Sequence, residues 1–288
     1  MIFVSSGGFP KKTGFEIYEE FKKIGISSIE FSGGLYDQNF KKNLNKLDHK
    51  SQFHNYFPPP KKAFVFNLSS LNNLIANKSI KLIKKNILHT KRIGSKYFSF
   101  HAGYLVDPKP NDLGKKFTAK KIINKSTAEE IFLKRFIKIN HFAKKHKVKL
   151  LIENNVVTKK NLKAYGENPF LLTEPKEILN FFKKLRSLKI DAGLLLDVAH
   201  LKVSSKTLGF NLEFGHKMLA KVIKGYHLSD NNSLIDSNSV FTEKSWFWKN
   251  LKKNAKFFTI EVYNIKIKNY LKLIKILKKK LKKSEKYK

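Results

Sequence analysis

Cysteine is absent from this chain of 288 residues. Disulfide bonds and thiolate metal sites are therefore excluded, and any metal site must use imidazole, carboxylate or carbonyl ligands. Ligands of this kind suit Mg²⁺ and Mn²⁺, and also Zn²⁺ when histidine and carboxylate bind it. The composition thus narrows the metal chemistry before any motif is considered.

Arginine is also scarce, since Arg92, Arg135 and Arg186 are the only residues of this type. The formal net charge of +37 is therefore carried almost entirely by lysine. Lysine in such excess, beside abundant Ile, Asn and Phe, is typical of AT-rich coding sequences, whereas specific nucleic-acid recognition relies on the arginine fork. We expect the charge to reflect composition more than a selected polyanion surface. It still permits a phosphate-bearing substrate, and it predicts loose, salt-sensitive nucleic-acid binding in vitro.

Long apolar runs are missing as well, and no segment approaches the roughly 18 uninterrupted apolar residues of a membrane span. The first residues, Met1 to Gly7, have neither a basic nor an apolar signal region, and they predict a strand that runs into a glycine turn. No stretch rich in Pro, Gly or Ser divides the chain. We therefore expect a single domain over residues 1–288, soluble and cytoplasmic, with no membrane partner; the sequence leaves its oligomeric state open.

What the chain does contain is a series of short apolar runs, each ending in a residue that can bind a metal or move a proton. Such runs predict strands buried on both faces, and the stretches of helical period between them indicate a parallel sheet. Reactive groups in a parallel sheet lie at the carboxyl ends of the strands. Five separate segments are therefore expected to converge on one rim, at His101, Glu153, Asp197, His227 and Glu261.

The whole pattern predicts eight strands that alternate with helices, and its natural closure is an α/β fold, the (β/α)8 TIM barrel. The predicted strands are Ile2–Ser5, Ser28–Phe31, Gln52–His54, Tyr97–His101, Lys149–Glu153, Gly193–Asp197, Ile223–Leu228 and Phe257–Glu261. The predicted helices are Lys12–Ile24, Gln38–Leu47, Leu71–Ile93, Thr127–Lys145, one that Thr173 caps with Pro175 in its first turn, Leu212–Ala220, Lys244–Lys252 and one from Ile267 onward. Within the segment Lys266–Lys288, a helical stripe is expected to pack on the barrel, with the final few residues frayed. It consists of Ile267, Leu271, Ile274, Leu277 and Leu281.

Four of the strand-end residues form a chemically coherent set. A single acidic residue or histidine after an apolar run often does no more than cap a strand or a neighbouring helix. Together, however, the four offer one neutral and three anionic ligands, which suits a divalent cation. The set is Glu153, Asp197, His227 and Glu261. We therefore predict a metal-centred active site at the rim.

The segments around these residues resemble the metal-site motifs of the xylose isomerase-like TIM barrels, a superfamily of sugar isomerases, sugar epimerases and endonuclease-four-type AP endonucleases. They are Ile152-Glu153-Asn154, Asp197-Val198-Ala199-His200, His227-Leu228-Ser229-Asp230 and Ile260-Glu261-Val262-Tyr263. The resemblance covers essentially the whole chain and implies the same barrel. It also implies one divalent metal, Mn, Mg, Co or Zn, bound by Glu153, Asp197, His227 and Glu261, with no other cofactor.

In the epimerase-like members the two matching glutamates also act as the acid/base pair. The resemblance thus implies isomerisation or epimerisation of a sugar or sugar phosphate, with Glu153 and Glu261 moving the proton. The physical chemistry agrees, because a metal-held carbonyl acidifies the neighbouring C–H, and two carboxylates can remove and return the proton from opposite faces. His200 is expected at the same rim, where it either holds a substrate oxygen or orients Asp197 through a hydrogen bond.

The AP endonuclease relatives provide the alternative. Two further segments, Phe53-His54-Asn55-Tyr56 and Phe100-His101-Ala102-Gly103, are similar to the histidine motifs of that family. The resemblance implies additional metal ligands at His54, His101 and Asp236, but Asn238 stands where the family has a histidine, which leaves a third zinc ion poorly bound. Cleavage of DNA at abasic sites, and a nucleic-acid partner, belong to this alternative alone. A barrel that binds metal or sugar without catalysis is a third possibility, because a fold does not fix a function.

Overall fold

The computed structural model describes residues 1–282 and contains eight parallel strands closed into a barrel in chain order, with the last strand paired to the first. The strands are β1 Ile2–Ser5, β2 Ile29–Phe31, β3 Ser51–His54, β4 Tyr97–His101, β5 Lys149–Glu153, β6 Gly193–Asp197, β7 Ile223–Leu228 and β8 Phe257–Ile260. The prediction of a (β/α)8 barrel is confirmed, and every strand bound lies within one residue of the predicted one.

Nine α-helices are present in the described part of the chain. They are α1 Gly14–Lys23, α2 Phe40–Asn43, α3 Asn73–Arg92, α4 Lys125–Lys145, α5 Lys159–Tyr165, α6 Pro175–Ser187, α7 Val198–Leu208, α8 Leu212–Leu219 and α9 Tyr270–Lys282. Short 3₁₀ turns lie at Leu44–Lys46, Pro110–Asp112, Trp246–Asn250 and Ile267–Asn269. Among residues 1–282, no helix is both long enough and apolar enough to cross a membrane.

The strand side chains alternate between the surrounding helices and the barrel interior. Outward residues such as Phe31, Phe98 and Tyr226 join the main core beneath the helices. A separate apolar cluster draws on strands from opposite sides of the barrel, so it fills the interior at the lower end; it consists of Phe3, Leu151, Leu195 and Phe257. Side chains two positions apart on a strand point the same way. Glu153 and Asp197 therefore stand directly above this apolar floor.

Two helices were not predicted from the sequence. α5 lies in the loop after β5, and α7 begins immediately after β6 with no intervening loop. Asp197 is the N-cap of α7, since its Oδ1 accepts a hydrogen bond of 2.8 Å from the backbone N–H of His200. The strand-end pattern predicts a ligand role for Asp197, and the structure adds a second role for it as the N-cap of a helix.

The prediction that Thr173 caps α6 is wrong. The helix begins at Pro175, as its position in the first turn predicted, but Glu174 occupies the N-cap position without a side-chain hydrogen bond. The Thr173 hydroxyl instead accepts from the Asn168 side chain at 2.6 Å. The Glu177 carboxylate accepts from the backbone N–H groups before the helix, including that of Thr173 at 3.1 Å. The Glu177 carboxylate, inside the first turn, therefore accepts backbone hydrogen bonds at the start of the helix, where a capping hydroxyl was expected to accept them.

The C-terminal stripe was predicted only in part. Leu277 is buried, but Leu271 is 45% exposed, and Tyr270 and Leu273 are the other buried positions of α9. The segment starts as a 3₁₀ turn at Ile267–Asn269, and its three residues per turn shift the phase of the following helix. Residues 283–288, where fraying was expected, lie outside the described residues. The segment predicted as helix Lys244–Lys252 is a 3₁₀ turn over Trp246–Asn250.

A buried histidine in the outer layer should make the stability of the protein depend on pH. His216 on α8 is fully buried, with Nε2 3.0 Å from the Tyr226 hydroxyl, and burial lowers its pKa to about 4. Its folded-state pKa lies below the unfolded value, so its stabilising contribution is present above about pH 6.5 and is lost as the pH falls towards 4. Urea unfolding at pH 7 and pH 4.5 should show about 2 to 3 kcal/mol less acid destabilisation in His216→Gln than in the wild type. Equal losses in both proteins would contradict this prediction.

Candidate metal and active site

The structure brings the strand-end residues together inside the upper end of the barrel. Four of them each offer a ligand atom, and these atoms all lie within 4.8 Å of one another: Glu153, Asp197, His227 and Glu261. His227 Nδ1 is 2.7 Å from Glu261 Oε2 and 3.1 Å from Glu153 Oε1. All four side chains are buried, the most exposed being Glu261 at 6%. We refer to these four residues as the four-ligand cluster.

Several polar atoms of the four-ligand cluster have no hydrogen-bond partner among the described residues. They include Glu153 Oε2, Asp197 Oδ2 and His227 Nδ1. His227 Nδ1 lies close to both glutamate carboxylates, but neither contact has the geometry of a hydrogen bond. Buried polar groups left unpaired in this way are rare unless an ion or water completes them. Three carboxylates and one imidazole at such distances fit a divalent cation.

A second three-residue group adjoins the cluster. His54 Nε2 lies 3.0 Å from Glu153 Oε2, and His101 Nδ1 lies 3.3 Å from the same oxygen. The ligand atoms of His54, His101 and Glu153 lie within 4.8 Å of one another. The other ring nitrogen of His54 contacts the Ser99 hydroxyl at 2.9 Å. His54 and His101, both predicted from the sequence as additional ligands, therefore lie beside Glu153. A further ion at this position could share the Glu153 carboxylate with the four-ligand cluster.

His200 contacts the cluster in two ways. Its backbone N–H donates to Asp197, and its ring Nε2 lies 3.1 Å from Asp236 Oδ2 and 3.8 Å from Asp197 Oδ2. Ring Nδ1 lies 2.9 Å from the Asn154 carbonyl oxygen. The hydrogen bond that orients Asp197 therefore comes from the backbone of His200, which leaves the ring to face Asp236. The role of this ring towards a substrate oxygen stays a prediction.

Asn238 lies at the rim in a turn that packs on Tyr263. It is buried at 5% exposure with a left-handed backbone at φ 44°, and its carbonyl accepts from the backbone N–H of Tyr263 at 2.8 Å. Asparagine tolerates this conformation better than most residues. The His, Asp and Glu residues of residues 1–282 form three groups of potential ligands, the third being Glu30, His54 and His227, and none of the three contains His200 or Asp236.

The charges of the cluster oppose one another. Burial raises the pKa of Glu153, but the neighbouring histidines outweigh burial and hold that pKa well below its usual value. Burial raises the pKa of Asp197 to about 7, helped by nearby carboxylates and opposed by His200. Burial lowers the pKa of His227, but three surrounding carboxylates raise it well above its usual value. The carboxylates around His227 thus favour positive charge at the centre of the cluster, which a bound metal ion would supply.

Sequence reasoning missed one carboxylate. Glu30 on β2 is fully buried, and its Oε1 lies 2.7 Å from His227 Nε2, on the ring edge opposite the four-ligand cluster. The side-chain amide of Gln52 donates to the other oxygen. The available signal was a polar residue in the middle of the short apolar strand Ile29–Phe31. A search for polar residues at the ends of apolar runs does not find Glu30, because Glu30 lies in the middle of its strand.

Tyr263 holds the last glutamate of the cluster. Its hydroxyl donates to Glu261 Oε1 at 3.0 Å. The turn after β1 packs closely on this ring, since a Cβ added at Gly7 would stand 2.8 Å from the Tyr263 hydroxyl oxygen. Glycine at position 7 therefore leaves room for the contact that orients Glu261.

Buried asparagines join the ends of neighbouring strands around the rim. Asn55, after β3, accepts from the backbone N–H of His101 at 2.9 Å. Asn154, after β5, exchanges two hydrogen bonds with the backbone of Asp197, at 2.8 and 3.1 Å. Asn155 donates to carbonyl groups of the loops after β4 and β5. We call these three residues the asparagine stitches.

A pocket of about 650 Å³ adjoins the cluster through His101 and His200, which lie beside Glu153 and Asp197, although none of the four cluster residues lines it. Asp236, which contacts the His200 ring at 3.1 Å, lines the same part of the pocket. One side is aromatic, with Tyr56, Tyr104, Phe117 and Phe170, and the loops contribute Lys115, Lys116, Lys159, Lys160 and Lys206. Small-molecule sites in enzymes have volumes of roughly 300 to 1,000 Å³. The pocket is therefore of a size that suits a sugar or a sugar phosphate.

Comparison with known proteins agrees with this architecture. The sequence profile of the xylose isomerase-like TIM barrel family matches residues 18–279. The chain belongs to this family. None of the curated proteins matches this xylose isomerase-like barrel in sequence.

Solved structures resemble the chain over nearly its whole length. A D-tagatose 3-epimerase-like protein is 19% identical with a TM-score of 0.67, covering 97% of this chain and 99% of its own. L-ribulose 3-epimerase is 13% identical with a TM-score of 0.66, and all of both chains is covered. The IOLI protein, solved with a binding zinc atom, is 16% identical with a TM-score of 0.63, covering 97% of this chain and 95% of its own. At these identities the likeness establishes the fold.

Proposed function

We propose that this xylose isomerase-like barrel is a divalent-metal-dependent isomerase or epimerase that acts on a sugar or sugar phosphate. The observation that carries the proposal is the four-ligand cluster, several of whose buried atoms lack hydrogen-bond partners among the described residues, beside a pocket of sugar size. The structural neighbours described as epimerases of tagatose and ribulose support the same class of reaction. The zinc atom in the IOLI structure supports a metal on this fold.

Glu153, Asp197, His227 and Glu261 would hold the ion. When bound, a divalent cation contributes Lewis acidity, which polarises a substrate carbonyl and acidifies the adjacent C–H. Manganese, magnesium, cobalt and zinc all accept ligands of this type. Asp197 is fixed by its hydrogen bond from the His200 backbone, and Glu261 is fixed by Tyr263, so two of the three carboxylates are oriented before any ion binds.

Glu153 and Glu261 would move the proton. They come from strands on different parts of the barrel wall, which lets two carboxylates approach one carbon from separate directions. A cation held by the cluster would keep Glu153 ionised, as a base must be before it takes a proton. His200, whose ring lines the pocket, would hold a substrate oxygen.

The lysines of the pocket suit a substrate that carries an anionic group. Lys115, Lys116, Lys159, Lys160 and Lys206 are exposed, and their ammonium groups form no ion pair with a carboxylate in the described part of the chain. Asp236 is the one carboxylate among the residues that line this pocket. A phosphate at the mouth of the pocket would therefore meet cations that internal carboxylates do not already neutralise.

Solvent-deuterium exchange tests the proposed function directly. The metal-loaded protein should incorporate deuterium at the carbon next to the carbonyl when a panel of ketoses, aldoses and their phosphates is incubated in D₂O. Phosphorylated members should exchange at lower substrate concentration than their free sugars, because of the lysines. Absence of exchange across the whole panel would overturn the proposal.

A second candidate function rests on the group His54, His101 and Glu153, which would allow a further ion as in the AP endonucleases. Against it, Asn238 offers no histidine for a third ion. We expect the protein with Zn²⁺ to leave a DNA duplex that contains one abasic site intact. Nicking that disappears in Glu261→Gln would establish the second function, whereas nicking that survives this substitution would indicate a contaminating nuclease.

A further inference from the structure

Glu30 is the one fully buried carboxylate of the described chain that the proposed reaction does not use. It lies at 0% exposure on β2, with neighbours on β3 and β7. Burying an ionised carboxylate is costly unless partners compensate for it. The compensating groups here are the His227 ring, the nearby His54 ring and the Gln52 amide. The shortest contact to a histidine is that with His227, so the position of Glu30 is tied to the far edge of a residue in the four-ligand cluster.

His227 has two ring nitrogens that face opposite ways. Nδ1 faces Glu153 and Glu261, and Nε2 lies 2.7 Å from Glu30 Oε1. An imidazole that binds a cation through Nδ1 must carry its proton on Nε2. A carboxylate at Nε2 favours that tautomer and makes the ring a better ligand. The 2.7 Å contact lies off the direction of the ring N–H, so the distance already suits a hydrogen bond and only the angle has to change.

We propose that Glu30 is a positioning residue, which keeps the proton of His227 on Nε2 and the lone pair of Nδ1 directed at the other three ligands. This inference rests on the proposed metal site but assigns a residue outside it. Gln52 supports this role of Glu30. Its amide donates to the second oxygen of Glu30 and so prevents the carboxylate from turning away from the imidazole.

Metal affinity measured by chelator competition, with Zn²⁺ and with Mn²⁺ alone, tests the proposal without reference to turnover. Glu30→Met should weaken the affinity by about 10- to 100-fold, the usual effect of losing such a partner, while the number of ions per chain stays the same. Glu30→Gln should lose less, because its amide oxygen can still accept from Nε2–H when Gln52 reverses its own amide. Gln52→Met should also weaken binding, by less than Glu30→Met.

A nuclear magnetic resonance signal gives a second readout. In the zinc-loaded wild type, the Nε2–H proton of His227 should be protected from exchange with water and shifted downfield, and Glu30→Met should abolish this signal. Glu177→Gln provides the matched control, since Glu177 is a largely buried carboxylate that accepts backbone hydrogen bonds at the start of α6, away from His227. It should leave both the affinity and the His227 signal unchanged.

Three results would overturn the role of Glu30. They are unchanged affinity in Glu30→Met, equal loss in Glu30→Gln and Glu30→Met, and a loss of one bound ion per chain, which would make Glu30 a ligand itself. If Glu30→Met does not fold, the isosteric Glu30→Gln and the Gln52→Met variant provide the comparison. A wild type that binds no divalent ion would overturn the proposed function as well, which distinguishes that failure from a failure of Glu30 alone.

Discussion

Glu261→Gln and Glu153→Gln should each lower the rate of substrate deuterium exchange by a factor of about 10² to 10⁴, the usual contribution of a general acid or base. Glutamine keeps the shape of glutamate but cannot accept the proton. Each substitution also removes one of three anionic ligands from the four-ligand cluster, so the loss should lie at the upper end of that range. The measurement is the rate of deuterium incorporation at saturating metal, which separates lost proton transfer from lost metal.

The control variants make this expectation specific. Tyr263→Phe removes the hydroxyl that donates to Glu261 but leaves the carboxylate in place, so the rate should fall by much less than in Glu261→Gln. Glu177→Gln makes the same chemical change far from the barrel interior and should leave the rate as it is. Exchange that continues unaltered in either Glu153→Gln or Glu261→Gln would show that the corresponding carboxylate moves no proton.

Removal of metal should abolish turnover and lower the melting temperature. Elemental mass spectrometry of the purified protein is expected to find about one tightly held divalent ion per chain, because the described residues contain one group of four ligands. A ligand that binds only the folded state stabilises it by roughly 2.7 kcal/mol at one hundred times its dissociation constant. Mild chelation should therefore destabilise the protein measurably, and returning Mn²⁺, Mg²⁺, Co²⁺ or Zn²⁺ should restore both activity and stability.

The number of ions discriminates between the two candidate functions. Two or three zinc ions per chain would mean that His54 and His101 also bind metal, and the abasic-site assay would then come first. Asp197→Asn should eliminate the single expected ion, whereas Asp236→Asn should retain it, since Asp236 belongs to none of the ligand groups found in residues 1–282. Failure to bind any ion, together with no response of the melting temperature to added metal, would contradict the proposal.

The strands could be predicted because their chemistry is local. Each apolar run is short and ends in a polar residue, so the bounds of β5 and β6 follow from Glu153 and Asp197 alone. The same side-chain alternation that places these residues above the apolar floor also applies to Phe3 and Phe257, two positions earlier in their own strands than Ser5 and Thr259. Because every second side chain of a strand points into the barrel, the same alternation predicts both the apolar floor and the polar residues of the site above it.

The contact between Glu30 and His227 could not be predicted in that way. The two residues are far apart in the chain, on β2 and β7, and they meet across the closed barrel. Nothing near Glu30 in the sequence indicates a partner. The start of α7 could not be predicted for another reason. An aspartate after an apolar strand can be a metal ligand or a helix N-cap, and the local sequence does not show that Asp197 can be both.

The asparagine stitches have a consequence for engineering the substrate range of this barrel. Each of these asparagines forms hydrogen bonds with backbone atoms at the end of the neighbouring strand or in the loop that follows it. The conformation of one loop therefore depends on the backbone of the next. A loop grafted alone from a related barrel would leave a buried amide or carbonyl without its partner, whereas a change at the outer tip of a loop would not. Loops are therefore best exchanged as adjacent pairs, for example those after β4 and β5, which both bond to Asn155.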